Sequence, residues 1–231
     1  MKKSILHSSY KNRVIESRDE LATLLNRREF LLSYINLSNF RLEADTGITA
    51  FIIDSSVLAR SLGVQCMSPD YSSVMDDLLL KSKRILYVGG RLQENITFIR
   101  KQQKVFPSKN HKGLSGYDIE RDKYLQEIFE FAPDTIVLSL GYGFQESLGL
   151  AIKRSGFRGK IICSGAFISQ ESRSEEKVFY PYWIIKLNLR WLFRLVMEKS
   201  ARKRIPKIVM NYMIMNALKV LYNYKKSRGN S

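Results

Sequence analysis

Cysteine and histidine are nearly missing from this 231-residue chain, with two of each. Cys66 and Cys163 stand far apart without a CxxC spacing, so neither a disulfide framework nor a zinc site is expected, and a reducing compartment is the default. With His7 and His111 as the only histidines, a histidine-based metal centre or a Ser/His/Asp triad is not expected either. No stretch reaches the roughly 18 continuous apolar residues of a membrane-spanning helix. The nearest, residues 208–224, is broken by Asn211, Asn216, Lys219 and Asn223. Met1-Lys2-Lys3 begins basic but no apolar run follows, so no secretory leader is expected. Acids are the scarce charge: 22 Asp+Glu against 38 Lys+Arg leave a formal charge of +16.

What is present is a core and an asymmetry. Apolar residues make up 45% of the chain and aromatics 11%, enough to bury a sizeable interior and to argue against disorder. The excess positive charge is concentrated at one end. Residues 183–231 hold twelve bases and one acid, Glu198, so 12 − 1 = +11 of the +16 belongs to this tail. We therefore divide the chain into a body, 1–182, and a basic C-terminal appendage, 183–231.

Within the body, short β-prone runs alternate with longer helical patterns. The runs 48–53, 84–88, 135–140 and 160–163 predict strands; 71–81, 91–104, 118–131 and 146–155 predict helices, with Asp118 and Glu146 near helix starts where the backbone dipole favours acids. This alternation predicts a parallel sheet flanked by helices. Ligands of such sheets sit beyond the carboxyl ends of the strands. The segments to inspect are Asp54 onward, Gly89-Gly90, Gly141 to Glu146, and Ser164 to Gln170. Asp54 either points into a cleft as a general base or caps the next helix. Gly89-Gly90 permits a tight turn or the close approach of a ligand. In Gly141-Tyr142-Gly143-Phe144-Gln145-Glu146, two glycines free the backbone, and an amide and a carboxylate then stand where both could reach a polar ligand, or the segment is an ordinary strand-to-helix loop. Cys163 reads as a buried core thiol and His111 as a solvent-facing loop residue.

In the appendage, Ile184, Leu187, Trp191 and Leu195 recur at helical spacing beside Lys186, Arg190 and Arg194, giving an apolar, aromatic face and a cationic one. Further on, Asn216, Lys219 and Asn223 share a face opposite Met213, Ile214, Leu218 and Leu221. An anionic partner fits, either a membrane surface or nucleic acid. Nucleic acid is the weaker reading, because the aromatics and methionines lie in helical stripes instead of being scattered among Lys, Arg and Gly.

Taken in order, several segments resemble the WecG/TagA/CpsF family of bacterial glycosyltransferases over roughly Ser33 to Arg204. Gly141-Tyr142-Gly143-Phe144-Gln145-Glu146 is similar to the family's G-x-P-x-Q-E loop, with Gly143 in place of the proline. Leu189-Arg190-Trp191-Leu192-Phe193-Arg194-Leu195 is similar to its (E/R)-W-(L/I)-(Y/F)-R-(L/I) segment. Tyr87-Val88-Gly89-Gly90, Gly116-Tyr117 and Cys163-Ser164-Gly165-Ala166-Phe167 add support. The resemblance implies a Rossmann-like body with a C-terminal amphipathic helical appendage that docks on the inner face of the cytoplasmic membrane and helps complete the active site. It further implies transfer of an N-acetylmannosaminyl or related sugar from a UDP donor to a polyprenyl-diphosphate-linked acceptor, inverting, without metal or other cofactor, in surface polysaccharide assembly. The absence of a D-x-D pair agrees. Asp54 falls at the family's catalytic aspartate, with Asp45 as a rival placement; Asn36 follows the first strand, Gln145 lies in the substrate pocket, and Arg190 and Arg194 belong to the appendage. Ser55 stands where the family has glycine, and 65–69 lacks the arginine expected there. A non-catalytic member of the family, and a homo-oligomer, remain open on sequence grounds.

Overall fold

The computed structural model describes residues 10, 12–39, 47–69, 74–117, 120–174, 181–187, 189, 192–193, 196 and 202–228, with the backbone alone at 121, 185 and 218–228. The body elements are α1 (Arg18–Leu25), β1 (Phe30–Ile35), β2 (Ala50–Ile53), α2 (Ser56–Leu62), α3 (Met75–Leu80), β3 (Arg84–Gly89), α4 (Leu92–Val105), β4 (Asn110–Leu114), α5 (Arg121–Phe131), β5 (Thr135–Ser139), α6 (Phe144–Arg154), β6 (Lys160–Cys163) and α7 (Phe167–Arg173). Beyond them lie α8 (Tyr182–Lys186) and α9 (Ile205–Arg228).

Six strands form one sheet in the order β2-β1-β6-β5-β3-β4, every pairing parallel. β1, β2 and β5 are buried at every position and β3 at all but its first, as expected of strands covered on both faces. The two faces carry separate apolar layers. Leu31, Leu86, Ile136 and Ile161 point into one; Leu32, Tyr87, Val137 and Ile162 point into the other. The fold is thus the Rossmann-like α/β body the sequence predicts.

Two strands are missing from the runs read by hydrophobic pattern, although the resemblance places a first strand ahead of Asn36. β1 is an apolar run that follows directly on Leu21, Leu24 and Leu25 of α1, and a short apolar run beside a helical one has no distinctive period. β4, Asn-His-Lys-Gly-Leu, is polar because it forms a sheet edge. His111 sits on that strand and is not a solvent-facing loop residue. Its ring is half-buried, stacked on Tyr87 with centroids 5.9 Å apart, and Nε2 lies 3.1 Å from the Phe106 carbonyl oxygen. Cys163 is fully buried as expected, and burial pushes its thiol well above the usual range.

In the appendage, α8 ends at Lys186, so Ile184 and Leu187 do not continue one long helix: Leu187 is already a turn residue. Ile184 is buried and Leu187 exposed. The face of α9 that packs on the body is Asn211 and Met215, both at 0% exposure, with Ile214 partly buried. Met213, expected on the apolar face, is instead 65% exposed.

Candidate functional site

The strand order sets the carboxyl edge of the sheet as a row of loops. From one side to the other come Asp54 after β2, Asn36 after β1, Ser164-Gly165 after β6, Leu140-Gly141 after β5, Gly89-Gly90 at the end of β3, and Ser115-Gly116 after β4. β3 continues outward to β4, whereas β5 turns inward to β6. The chain therefore leaves neighbouring strands in opposite directions at β3 and β5, the kind of switch point beside which open α/β sheets bind ligands. At about 4.8 Å per strand, Asp54 stands some 14 Å from the β5 loop.

Glycine lets the backbones close at this switch point. Gly89 has φ +149°, and a Cβ there would lie 2.1 Å from the Ser139 carbonyl oxygen. Gly116 packs on Gly89, where a Cβ would come 2.9 Å from the Gly89 Cα, and its N–H donates to the Gly90 carbonyl at 2.8 Å. Asn95, buried on α4 with Phe98 and Gln102, fastens this corner. Its Nδ2 donates to the carbonyls of Gly89 and Leu114, each at 2.9 Å. By contrast, nothing stands within 4 Å of a Cβ at Gly141, so the β5 loop faces open space. Exposed rings of Tyr117 and Phe144 stand in the loops on either side of β3.

The Gln145-Glu146 pair lies beneath this loop and not on its surface. Gln145 is 0% exposed; its Oε1 accepts the Gly165 N–H at 3.1 Å, and its Nε2 donates to Glu146 Oε1 at 2.9 Å. Glu146 also accepts the Ser33 hydroxyl of β1 at 2.7 Å and the Gly143 N–H at 2.6 Å. Two loops and strand β1 are tied together through two side chains. The Ser139 hydroxyl adds a fourth link by donating to the Gly165 carbonyl at 2.9 Å and accepting from the Ile168 N–H at 2.9 Å. Ser33, Ser139 and Asn95 escape the sequence reading. The signal of Ser33 and Ser139 is a polar residue inside an apolar strand run, faint without knowing which strands are neighbours, and Asn95 in its mostly polar helix has none.

At the opposite end, the N-cap of α2 is Ser55, whose Oγ accepts the Leu58 N–H at 3.3 Å. Capping therefore falls to Ser55, and Asp54, partly buried, sits one residue outside the cap with its N–H on the Ile35 carbonyl at 2.8 Å. Asn36 folds the neighbouring loop: its Oδ1 accepts the Ser38 N–H at 2.9 Å and the Ser38 hydroxyl at 2.6 Å. The α9 helix reaches this end of the row, where Asn211 Nδ2 donates to the Leu37 carbonyl at 2.6 Å. Asp45, Arg190 and Arg194 lie outside the described residues.

The appendage leaves apolar and basic groups together on the surface. Tyr182, Trp183, Leu187, Met210 and Met213 are exposed, as are Lys186, Arg202, Lys203, Arg204 and Lys207. Among the described residues, no helix is long and apolar enough to cross a membrane.

Comparison with known proteins agrees with this architecture. The profile of the Glycosyl transferase WecG/TagA/CpsF family matches residues 57–227, a span that includes Gly89, Gly90, Gly141, Gln145, Glu146, Arg190 and Arg194 and begins three residues after Asp54. The chain is 28% identical over 163 residues to UDP-Gal:alpha-D-GlcNAc-diphosphoundecaprenol beta-1,4-galactosyltransferase of Shigella boydii, covering 65% of this chain and 68% of that protein. It is 27% identical over 137 residues to N-acetylglucosaminyldiphosphoundecaprenol N-acetyl-beta-D-mannosaminyltransferase of Bacillus subtilis (strain 168), covering 58% of this chain and 53% of that protein. The chain spans about two thirds of the length of the first relative and about half of the second. The parallel sheet, the order of its loops and the family match over most of its length place this chain in the WecG/TagA/CpsF family of glycosyltransferases.

Proposed function

We propose that this protein transfers an N-acetylhexosaminyl, ManNAc-like sugar from a UDP donor to a polyprenyl-diphosphate-linked acceptor in cell-envelope or surface polysaccharide synthesis. The observation that carries the reading is the row of loops, with Asp54 toward one end and, across the sheet, the point between β3 and β5 where the strand order reverses and the β5 loop at Gly141 faces open space. That separation suits a nucleoside diphosphate sugar laid along the row better than a single sugar. Both relatives' names specify a GlcNAc-diphosphoundecaprenol acceptor, and they differ in the sugar moved.

In this reading the nucleotide lies over Gly89, Gly90 and Gly141, with open space at Gly141, and the sugar extends toward Asn36 and Asp54. Asp54 removes the proton from the acceptor hydroxyl as that oxygen attacks the anomeric carbon. The bond from that carbon to the diphosphate oxygen breaks, UDP leaves, and the single displacement inverts the centre. No metal takes part; Arg190 and Arg194 offset the charge growing on UDP. Gln145 and Glu146 act from beneath, holding strand β1 and the β5 and β6 loops in register. The exposed apolar and basic groups of the appendage rest on an anionic bilayer at the inner face of the cell membrane, beside the lipid acceptor.

A screen of UDP-sugars by thermal stabilisation, with detergent present, tests the donor side, because a ligand that binds only the native state raises the melting temperature. Stabilisation by UDP and one UDP-sugar is expected; indifference to every uridine nucleotide would contradict the reading. Liposome flotation at two salt concentrations tests the surface. Binding that survives high salt through the apolar face is expected, whereas complete release would leave charge alone as the attraction.

A further inference from the structure

A cavity of about 330 Å³ lies between α2 and α9, lined by Ser56, Val57, Arg60, Ser61, Tyr212, Met215 and Asn216. Its size is at the small end of ligand pockets. Its wall begins at Ser56, two residues beyond Asp54, at the start of α2. The lining is divided in character. Arg60, Ser56, Ser61 and Asn216 offer a cation, hydroxyls and an amide, while Val57, Tyr212 and Met215 offer apolar and aromatic surface. Arg60 is exposed and forms no ion pair among the described residues.

The cavity also depends on both parts of the chain. α2 supplies the cationic wall and α9 most of the apolar one, and α9 is held there by Asn211 on the Leu37 carbonyl and by Met215 in the core. Farther along the same appendage are the exposed apolar and basic residues proposed to rest on the bilayer. A ligand in the cavity would meet a guanidinium on the α2 wall and an aromatic ring on the α9 wall.

We infer that this cavity receives the diphosphate and first isoprenoid carbons of the lipid-linked acceptor, with Arg60 binding the diphosphate and Val57 and Tyr212 the hydrocarbon. A diphosphate needs cationic donors, which Arg supplies in a forked geometry. The first isoprenoid carbons need an apolar wall, and a diphosphate alone would leave that wall unused. The inference rests on the acceptor reading above and extends it to a site apart from the donor loops.

Thermal stabilisation of the full chain by farnesyl diphosphate, inorganic diphosphate and UDP, measured in parallel, tests it. Farnesyl diphosphate is expected to bind more tightly than inorganic diphosphate. Arg60→Glu is expected to weaken farnesyl diphosphate at least about tenfold, and Arg60→Lys to recover part of the loss. Asn216→Trp, which fills the cavity from the other wall, is expected to block farnesyl diphosphate with the charge intact. UDP stabilisation should be unchanged in all three. Farnesyl diphosphate binding that persists unchanged in both Arg60→Glu and Asn216→Trp would overturn the site, as would its failure to bind a protein that still binds UDP. Equal affinity for inorganic and farnesyl diphosphate would overturn the isoprenoid assignment. If neither UDP nor farnesyl diphosphate bound, both this inference and the proposed function would fall.

Discussion

Asn211 donates its side-chain amide to the carbonyl oxygen of Leu37 at 2.6 Å, joining the C-terminal helix to the loop after β1 across 174 positions of sequence. The bond fixes one wall of the cavity between α2 and α9 and holds the appendage against the body. Replacing Asn211 with alanine leaves the Leu37 carbonyl without this donor, so a stability loss of about 1–2 kcal/mol is expected in urea denaturation. Proteolysis within the appendage should accelerate. Unchanged stability together with an unchanged cleavage rate would mean that the contact does not hold the helix.

Gly89 and Gly141 both belong to the row of loops, yet they should respond oppositely to alanine. At Gly89 a Cβ meets the Ser139 carbonyl oxygen at 2.1 Å, and φ is +149°, so strands β3 and β5 must part. Gly89→Ala is expected to destabilise by about 3 kcal/mol or more. At Gly141 a Cβ enters open space, and Gly141→Ala should stay within about 0.5 kcal/mol of the parent. Denaturation midpoints measured side by side check the contrast, and equal effects would contradict it.

The Glu146 carboxylate receives three donors, from Ser33, Gly143 and Gln145. In Glu146→Gln, an amide NH2 must face at least one of these donors, leaving a buried polar group unpaired. A loss of about 2–4 kcal/mol is expected. Ser33→Ala removes one of the three donors and leaves Glu146 the other two, so it should cost less. If Glu146→Gln proved neutral in denaturation, the claim that this residue ties strand β1 to the loops would fail.

Glu94 gives the fold a pH dependence. Burial acts to raise its pKa, but the Arg91 N–H, the Arg173 side chain and the Ser169 hydroxyl outweigh it, and the carboxyl titrates below its ordinary value of 4.5. A depressed folded pKa contributes stability that is present above pH 4.5 and is lost as pH falls through the folded value. Arg173 donates to Glu94 at 2.5 Å, so Arg173→Ala should flatten the decline in stability below pH 4.5. A decline of the same slope in the variant would assign it to other carboxylates.

The central strands were legible because buried parallel strands are written as apolar runs: 84–88, 135–140 and 160–163 match β3, β5 and β6 to within a residue or so. β4 was not, since an edge strand can be polar, and His111 was misplaced with it. The loops that form the row could be located, because each follows a strand. What each residue does there could not be read. Whether Asp54 caps α2 depends on Ser55, one position away, and the depth of Gln145 depends on Gly165 and Ser33, which only the strand order brings near. The apolar face of α9 was likewise misjudged at Met213, because tertiary packing selected the Asn211–Met215 face over the more hydrophobic one.

The most direct measurement compares the parent protein with Asp54→Asn in sugar transfer to a polyprenyl-diphosphate-linked N-acetylglucosamine, using the UDP-sugar that stabilises the fold most, with UDP binding measured on both proteins. The account predicts that transfer falls by about 10²–10⁴-fold while UDP binds the two alike. Full transfer by Asp54→Asn would contradict it.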